Sequence, residues 1–336
     1  MSRTRRSSGW RHLALGAIGL ATIVWSGYRI ATLRGVPRPM TTVDHCADAR
    51  AVAALPERHG GGAVACRMWD VGTGVTGYVW HAPDARGAVL LSHGYSDYTF
   101  RYVDGNARLI PHLLARGFTV YAFDLYGHGH SPGPRGRVDP RQAVDDHLAA
   151  RHLLRDSGLP LFAIGNSLGG LVAATSVLRD ARGLAGLVLL SPALGFETTR
   201  LQRLVIRAAG VLVPTMAAPA PAAQLGRLSR DPAFEAQLAR DPLIVNETIP
   251  WITVAGVSAL SHRNLRHWSR IELPVVVFHG TGDTIAPVKA SRTVVASVSS
   301  GNAELVEITD GRHSLLDDAD AVEVRDTLID WLVARL

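Results

Sequence analysis

The pentapeptide Gly165-Asn166-Ser167-Leu168-Gly169 constrains this chain more than any other stretch, because of what lies on either side of it. Before it runs Leu161-Phe162-Ala163-Ile164, a short apolar run of the kind that forms a buried strand. After it, Gly170 to Leu178 reads as a helix of small residues. A serine at a sharp turn between strand and helix has its hydroxyl projecting, the setting of a hydrolytic nucleophile. The flanking glycines remove Cβ atoms where the chain doubles back, so Ser167 can adopt a strained backbone conformation. A serine in a Gly-rich loop without partners has no such role, so the chemistry depends on a base and an acid elsewhere.

A serine hydroxyl needs a base to take its proton, and the base needs a carboxylate to orient it. Downstream, Leu273-Pro274-Val275-Val276-Val277-Phe278-His279-Gly280 is a β-branched run ending in glycine, followed by Thr281-Gly282-Asp283. Asp283 is therefore expected just past the end of a buried parallel strand. Ala303 to Ile308 alternates as another strand, and Thr309-Asp310-Gly311-Arg312-His313 carries a histidine into the next loop. Serine, acid and histidine then follow one another at the ends of successive strands. His279 is the main rival base, but it lies inside an apolar strand, where a packed core histidine is expected. Asp310, Asp317 and Asp318 are rival acids crowded around His313, in a loop where carboxylates cap or face solvent.

The oxyanion formed by attack on a carbonyl needs donors, usually backbone amides. Leu168, directly after the serine at a helix start, offers one. Ala88 to Ser92 reads as a strand running into His93-Gly94-Tyr95-Ser96, and the Tyr95 amide is the second candidate. His93, upstream of the serine at a strand end, suits loop anchoring better than proton transfer.

These residues have further company in His93-Gly94 with Arg101-Tyr102, Asp124 to Ser131, Pro134-Arg135-Gly136 and Gly282-Asp283. Ser229-Arg230-Asp231-Pro232 and Asp241-Pro242-Leu243 follow the same pattern further on. Together they resemble the α/β-hydrolase superfamily, and within it the monoacylglycerol lipase/lysophospholipase-like group, from about Ala63 to Leu336. The resemblance implies an α/β-hydrolase fold, with a mostly parallel eight-stranded sheet, helices on both faces and a helical cap insertion. It implies Ser167 as nucleophile, His313 as base and Asp283 as acid, with the Tyr95 and Leu168 amides as oxyanion hole. Asn166 departs from the group, which usually has histidine there; packing or pocket polarity is affected rather than the triad. The implied substrate is a carboxylic ester of a single-chain lipid, such as a monoacylglycerol or lysophospholipid. Aminopeptidase and cofactor-free haloperoxidase activities occur on the same fold. A non-catalytic membrane-tethered binding module is the alternative of a different class, against which an intact acid and base argue. An aminopeptidase wants a carboxylate to bind the substrate amine, and the sequence identifies none.

The alternation of apolar runs and helical stretches supports a parallel sheet independently. Ala63–Trp69 and Val75–Trp80 read as an opening hairpin, with strands near 88–92, 118–123, 160–165, 185–190, 274–279 and 303–308. Helices are expected near 102–116, 139–157, 168–180, 286–298 and 319–335. Between about 192 and 270 the alternation breaks, which marks the cap. Within it, Thr198 to Val213 has Leu201, Leu204, Val205, Ala208, Val211 and Leu212 on one stripe, flanked by Arg200, Arg203 and Arg207. That helix either packs its stripe on the catalytic domain or lays it on a membrane.

Net charge is +6, yet of 35 basic residues only Lys289 is lysine and the arginines are scattered, so no nucleic-acid partner is expected. His128 and His130 lack a third ligand for zinc, and no phosphate-binding glycine motif is present, so neither metal nor cofactor is expected. Residues 1–35 form a separate segment in which an uncharged stretch from Leu13 to Tyr28 lies between arginines, read as a membrane anchor or a signal segment. Residues 36–62 are read as a linker and 63–336 as the hydrolase domain. The domain is expected to be membrane-anchored and exported, or secreted after cleavage. Cys46 and Cys66 could pair if exported and would stay reduced in the cytoplasm. The oligomeric state is left open.

Overall fold

The computed structural model describes residues 43–57, 60–195, 198–219, 227–245 and 248–336. A small antiparallel pair, β1 (Ala53–Ala54) and β2 (Ala63–Val64), comes first. The main sheet follows, with β3 (Arg67–Asp70), β4 (Thr76–Trp80), β5 (Gly87–Ser92), β6 (Phe118–Phe123), β7 (Leu161–Asn166), β8 (Gly186–Leu190), β9 (Val275–Gly280) and β10 (Ala303–Ile308). These eight strands lie in the order β10-β9-β8-β7-β5-β6-β4-β3. From β10 to β6 every pair is parallel, while β6–β4 and β4–β3 are antiparallel. The chain leaves β5 for β6 on one side and returns past it to β7 on the other. The carboxyl ends of β5 and β7 therefore meet where the crossovers diverge, the position at which open α/β sheets bind ligands.

Burial on both faces explains the near-continuous apolar character of the central strands. Val89, Leu91, Phe162, Ile164, Val188, Val276 and Phe278 point into one core, and Ala88, Leu90, Leu161, Ala163, Leu187, Val275 and Val277 into the other, as the period-2 alternation of strands requires. The first core is closed by α2 (Leu109–Ala115) and α9 (Ala321–Val333). The second is closed by α3 (Pro140–Leu154), α4 (Leu168–Arg179) and α8 (Val288–Ser297).

Two expectations need correction. The helix expected over 102–116 is broken into α1 (Arg101–Asp104) and α2, with Asn106, Ala107 and Arg108 at positive φ between them. Distant partners hold that break: Asp317 Oδ1 accepts the Asn106 amide at 3.1 Å, and Arg325 donates to the Ala107 carbonyl at 3.0 Å. The stretch read as a linker is also part of the domain from Asp44 onward. Ala51 and Ala53 are fully buried in the first core, the Trp80 indole donates to the Ala51 carbonyl at 2.6 Å, and β2 pairs with β1 instead of opening the hairpin. The hairpin itself is β3–β4. Cys46 and Cys66 are joined in a disulfide that closes this entry segment onto the strand β3.

Between β8 and β9 the cap contributes α5 (Arg200–Leu212), α6 (Pro232–Arg240) and α7 (Trp251–Asn264). Thr199 and Gln202 form a reciprocal capping box that starts α5. Helix α5 crosses α7 closely at Gly210, where a Cβ would collide with that of Ala255. That contact turns the apolar stripe outward: Leu201 is 71% and Leu204 64% exposed, and Val205, Ala208, Val211 and Leu212 are exposed beside them. No described helix is long and apolar enough to cross a membrane, and residues 1–35 lie outside the described residues.

Candidate active site

Ser167 occupies the turn between β7 and α4 at φ 49°, ψ −112°, a conformation costing an L-residue about 1–3 kcal/mol. Tight packing enforces it. A Cβ on Gly169 would drive into the Ser92 and His93 carbonyls, and one on Gly165 into the Gly169 carbonyl. The Ser167 amide donates to the Leu190 carbonyl at 2.8 Å, and its own carbonyl accepts from Leu171 and Ala193. The elbow is thus held from β8 as well as from within.

His313 lies in the loop after β10, and Asp283 three residues beyond the end of β9. His313 Nε2 is 2.8 Å from Ser167 Oγ, and its Nδ1 is 2.7 Å from Asp283 Oδ2. Serine, imidazole and carboxylate form one continuous relay from chain positions 146 and 30 residues apart. Asp283 is gripped on its other oxygen as well: Oδ1 accepts the Ile285 amide at 2.8 Å and the Ala286 amide at 3.0 Å. Burial alone would raise its carboxyl pKa. The donors from His279, His313 and Ala286 outweigh burial and hold it well below the usual carboxylate range, so the acid stays ionised.

His279, weighed in the sequence as a rival base or a core histidine, is fully buried in β9 but faces the acid. Its Nε2 lies 2.7 Å from the Ala286 carbonyl and 3.3 Å from Asp283 Oδ2, and its Nδ1 is 2.7 Å from Ser291 Oγ. Two oxygen acceptors against Nε2 require a proton there, so the Ser291 hydroxyl donates to Nδ1. Its spacing of four residues from Asp283 was the available sequence signal. The rival acids are engaged elsewhere. Asp317 is paired with Arg101 at 3.2 Å, and burial raises its carboxyl to about 6 against the pull of Arg101. Asp318 accepts the Arg312 amide at 2.7 Å and pairs with Arg230 at 3.0 Å. Asp310 sits at φ 57° in an exposed turn.

Leu168 is the first residue of α4, and amides in a first helical turn have no intrahelical acceptor. Tyr95 follows Gly94, where an added Cβ would lie 3.3 Å from Ser167 Cβ, so this backbone passes directly beside the nucleophile. His93 is fully engaged: Nδ1 donates to the Gly94 carbonyl at 2.7 Å, and Nε2 accepts the Leu125 amide at 2.9 Å. The peptide joining Gly94 to Tyr95 is trans, so holding its carbonyl fixes the opposite direction of the Tyr95 N–H. His128 packs edge-on against the Tyr95 ring at 5.1 Å, and burial lowers its pKa to about 3, keeping it neutral. Asn166 donates to the Tyr102 hydroxyl at 3.1 Å, which in turn donates to Asp97 at 3.0 Å.

The chain is similar to known proteins over most of its length. Residues 83–320 match the family described as serine aminopeptidase, S33. A monoacylglycerol lipase of Mycolicibacterium smegmatis is 27% identical over 258 residues, covering 75% of this chain and 90% of that protein. Human monoglyceride lipase is 27% identical over 246 residues, covering 68% of this chain and 75% of its own length. Among solved structures, the Paleococcus ferrophilus monoacylglycerol lipase superposes with a TM-score of 0.70 at 27% identity, covering 80% of this chain and all of that one. The family match takes in β5 to β10, the cap and all three of Ser167, Asp283 and His313, and the chain belongs to the serine aminopeptidase S33 family of α/β-hydrolases.

Proposed function

We propose that the protein is a carboxylic ester hydrolase acting on monoacylglycerols or similar single-chain lipid esters. The observation that carries the reading is the unbroken relay from Ser167 Oγ through His313 to a buried, ionised Asp283. Ser167 Oγ attacks the ester carbonyl while His313 Nε2 takes its proton, and Asp283 holds the resulting imidazolium. The Tyr95 and Leu168 amides receive the oxyanion, each donor of this kind being worth about 10²–10³ in rate. Collapse of the tetrahedral intermediate expels the alcohol, protonated by His313. Water, deprotonated by the same imidazole, then releases the acid from Ser167. The lipid-ester assignment is supported by relatives described as monoacylglycerol lipases. The family description names an aminopeptidase, and the test must separate the two. A panel of p-nitrophenyl esters of increasing chain length, beside monoacylglycerol, lysophospholipid and aminoacyl amides, is expected to favour an acyl ester. Preference for an aminoacyl amide over every ester overturns the assignment.

The same reading puts the substrate at a membrane, with residues 1–35 as tether and α5 as contact. The outward stripe of α5 and the neighbouring Arg200, Arg203 and Arg207 suit an anionic bilayer, where each arginine contributes about 1 kcal/mol. Export of the catalytic domain is supported by the Cys46–Cys66 bond, since disulfides persist in oxidising compartments. A chain starting at residue 36 retains every described residue and should float with anionic vesicles at low salt. Leu201→Ser with Leu204→Ser should reduce that recruitment several-fold. A truncated chain that ignores the vesicles removes the cap from the membrane.

A further inference from the structure

Two cap motifs, Ser229-Arg230-Asp231-Pro232 and Asp241-Pro242-Leu243, have no part in the triad. Each nevertheless reaches a catalytic loop. The Leu228 carbonyl accepts the Ser314 amide at 2.7 Å, and Ser229 Oγ donates to the Asp317 carbonyl at 2.7 Å. The Arg230 amide donates to Asp318 Oδ1 at 2.6 Å, its Nε to Oδ2 at 3.0 Å, and its Nη2 to Asp320. Asp318 Oδ2 also accepts the Arg312 amide at 2.7 Å. Both amides flanking His313 are thus held: Ser314 by a cap carbonyl, and Arg312 by a carboxylate that a cap arginine neutralises. The Asp318 side chain is 1% exposed, and the Arg312, Arg230 and Ala319 amides together with the Arg230 guanidinium outweigh burial and hold its carboxyl below the usual carboxylate range. On the opposite side, Ser96 Oγ donates to the Val245 carbonyl at 2.5 Å and the Tyr98 hydroxyl donates to Asp241. Ser96 and Tyr98 belong to the loop that carries Tyr95.

We infer that cap residues 228–245 brace the catalytic loops, with Arg230 a positioning residue that acts through Asp318 on His313. The inference rests on the triad reading above. An imidazole that must meet Ser167 and Asp283 at once tolerates displacement of only about 0.5 Å, and a shift of about 1 Å can cost 10²-fold in rate. The brace also divides the cap by task. Residues 228–245 are bolted to the machinery, whereas α5, among the described elements, packs mainly on α7 and offers its stripe outward.

The test uses the full chain and p-nitrophenyl butyrate, with Arg230→Met, Arg230→Lys, Tyr98→Phe and Ser167→Ala. Arg230→Met should lower kcat at least tenfold with KM within twofold. It should also move the acid limb of the kcat–pH profile to lower pH, because an imidazolium turned from Asp283 loses its counter-charge. Arg230→Lys should restore most of kcat. Tyr98→Phe, which frees the oxyanion loop from Asp241 and leaves Asp318 untouched, should lower kcat and leave the limb in place. Active-site titration with a fluorophosphonate corrects the rates of the variants that keep Ser167, and the far-UV spectrum checks the fold of Ser167→Ala. An unmoved limb with kcat per titrated site unchanged in Arg230→Met overturns the brace, including when that variant is partly unfolded. Hydrolysis surviving in Ser167→Ala overturns the triad reading instead; its loss there with full activity in Arg230→Met overturns the brace alone.

Discussion

Ser167→Ala should lower kcat for a soluble ester by about 10⁶ and abolish labelling by a fluorophosphonate. The size follows from the relay. Without Oγ, His313 has no nucleophile to activate and no acyl-enzyme can form, so attack reverts to an unheld water. What survives, about 10³–10⁴ over the uncatalysed rate, comes from binding and the oxyanion donors. Ser167 is half-buried at a strained turn, and alanine keeps the backbone requirement unchanged, so stability should move little. Covalent labelling of the alanine variant, or hydrolysis above 1% of the native rate, would remove Ser167 from the chemistry.

Asp283→Asn should cost about 10⁴ in kcat, and the surroundings of the carboxylate dictate why. Two backbone amides grip Oδ1, so an asparagine must leave its oxygen there and present its NH₂ where Oδ2 was. That NH₂ faces His313 Nδ1, which becomes an acceptor and forces the imidazole proton onto Nε2. A protonated Nε2 cannot accept the Ser167 proton. The same NH₂ would point toward the protonated Nε2 of His279, so local strain accompanies the tautomer change. A loss smaller than tenfold, measured on a variant that retains the native far-UV spectrum, would show that the acid is another residue.

The meeting of Ser167, Asp283 and His313 was legible because they occupy places that sequence marks well. Ser167, Asp283 and His313 each follow an apolar, β-branched or alternating run, and β6 and β10 begin and end where the pattern puts them. The broken helix at 105–108 was illegible for the opposite reason. Its left-handed residues answer to Asp317 and Arg325, over two hundred positions away, and the local helical pattern carries no trace of them. His279 was legible as a core residue, and its contact with the acid was signalled only by the spacing of four residues between them. The direction of the α5 stripe was undecidable from periodicity, which gives a face without its target. Gly210 decides it by letting α7 take the other side.

The disulfide between Cys46 and Cys66 has a mechanical consequence. Any tension applied through the chain's first residues passes across this bond to Cys66, immediately before β3, and not through the intervening segment. Strand β3 is the edge of the sheet remote from β7, β9 and β10, with β4, β6 and β5 in between. A pull on the chain ahead of Cys46 would therefore peel the antiparallel margin first, and the elbow and its two partner loops would be the last part of the sheet to feel it.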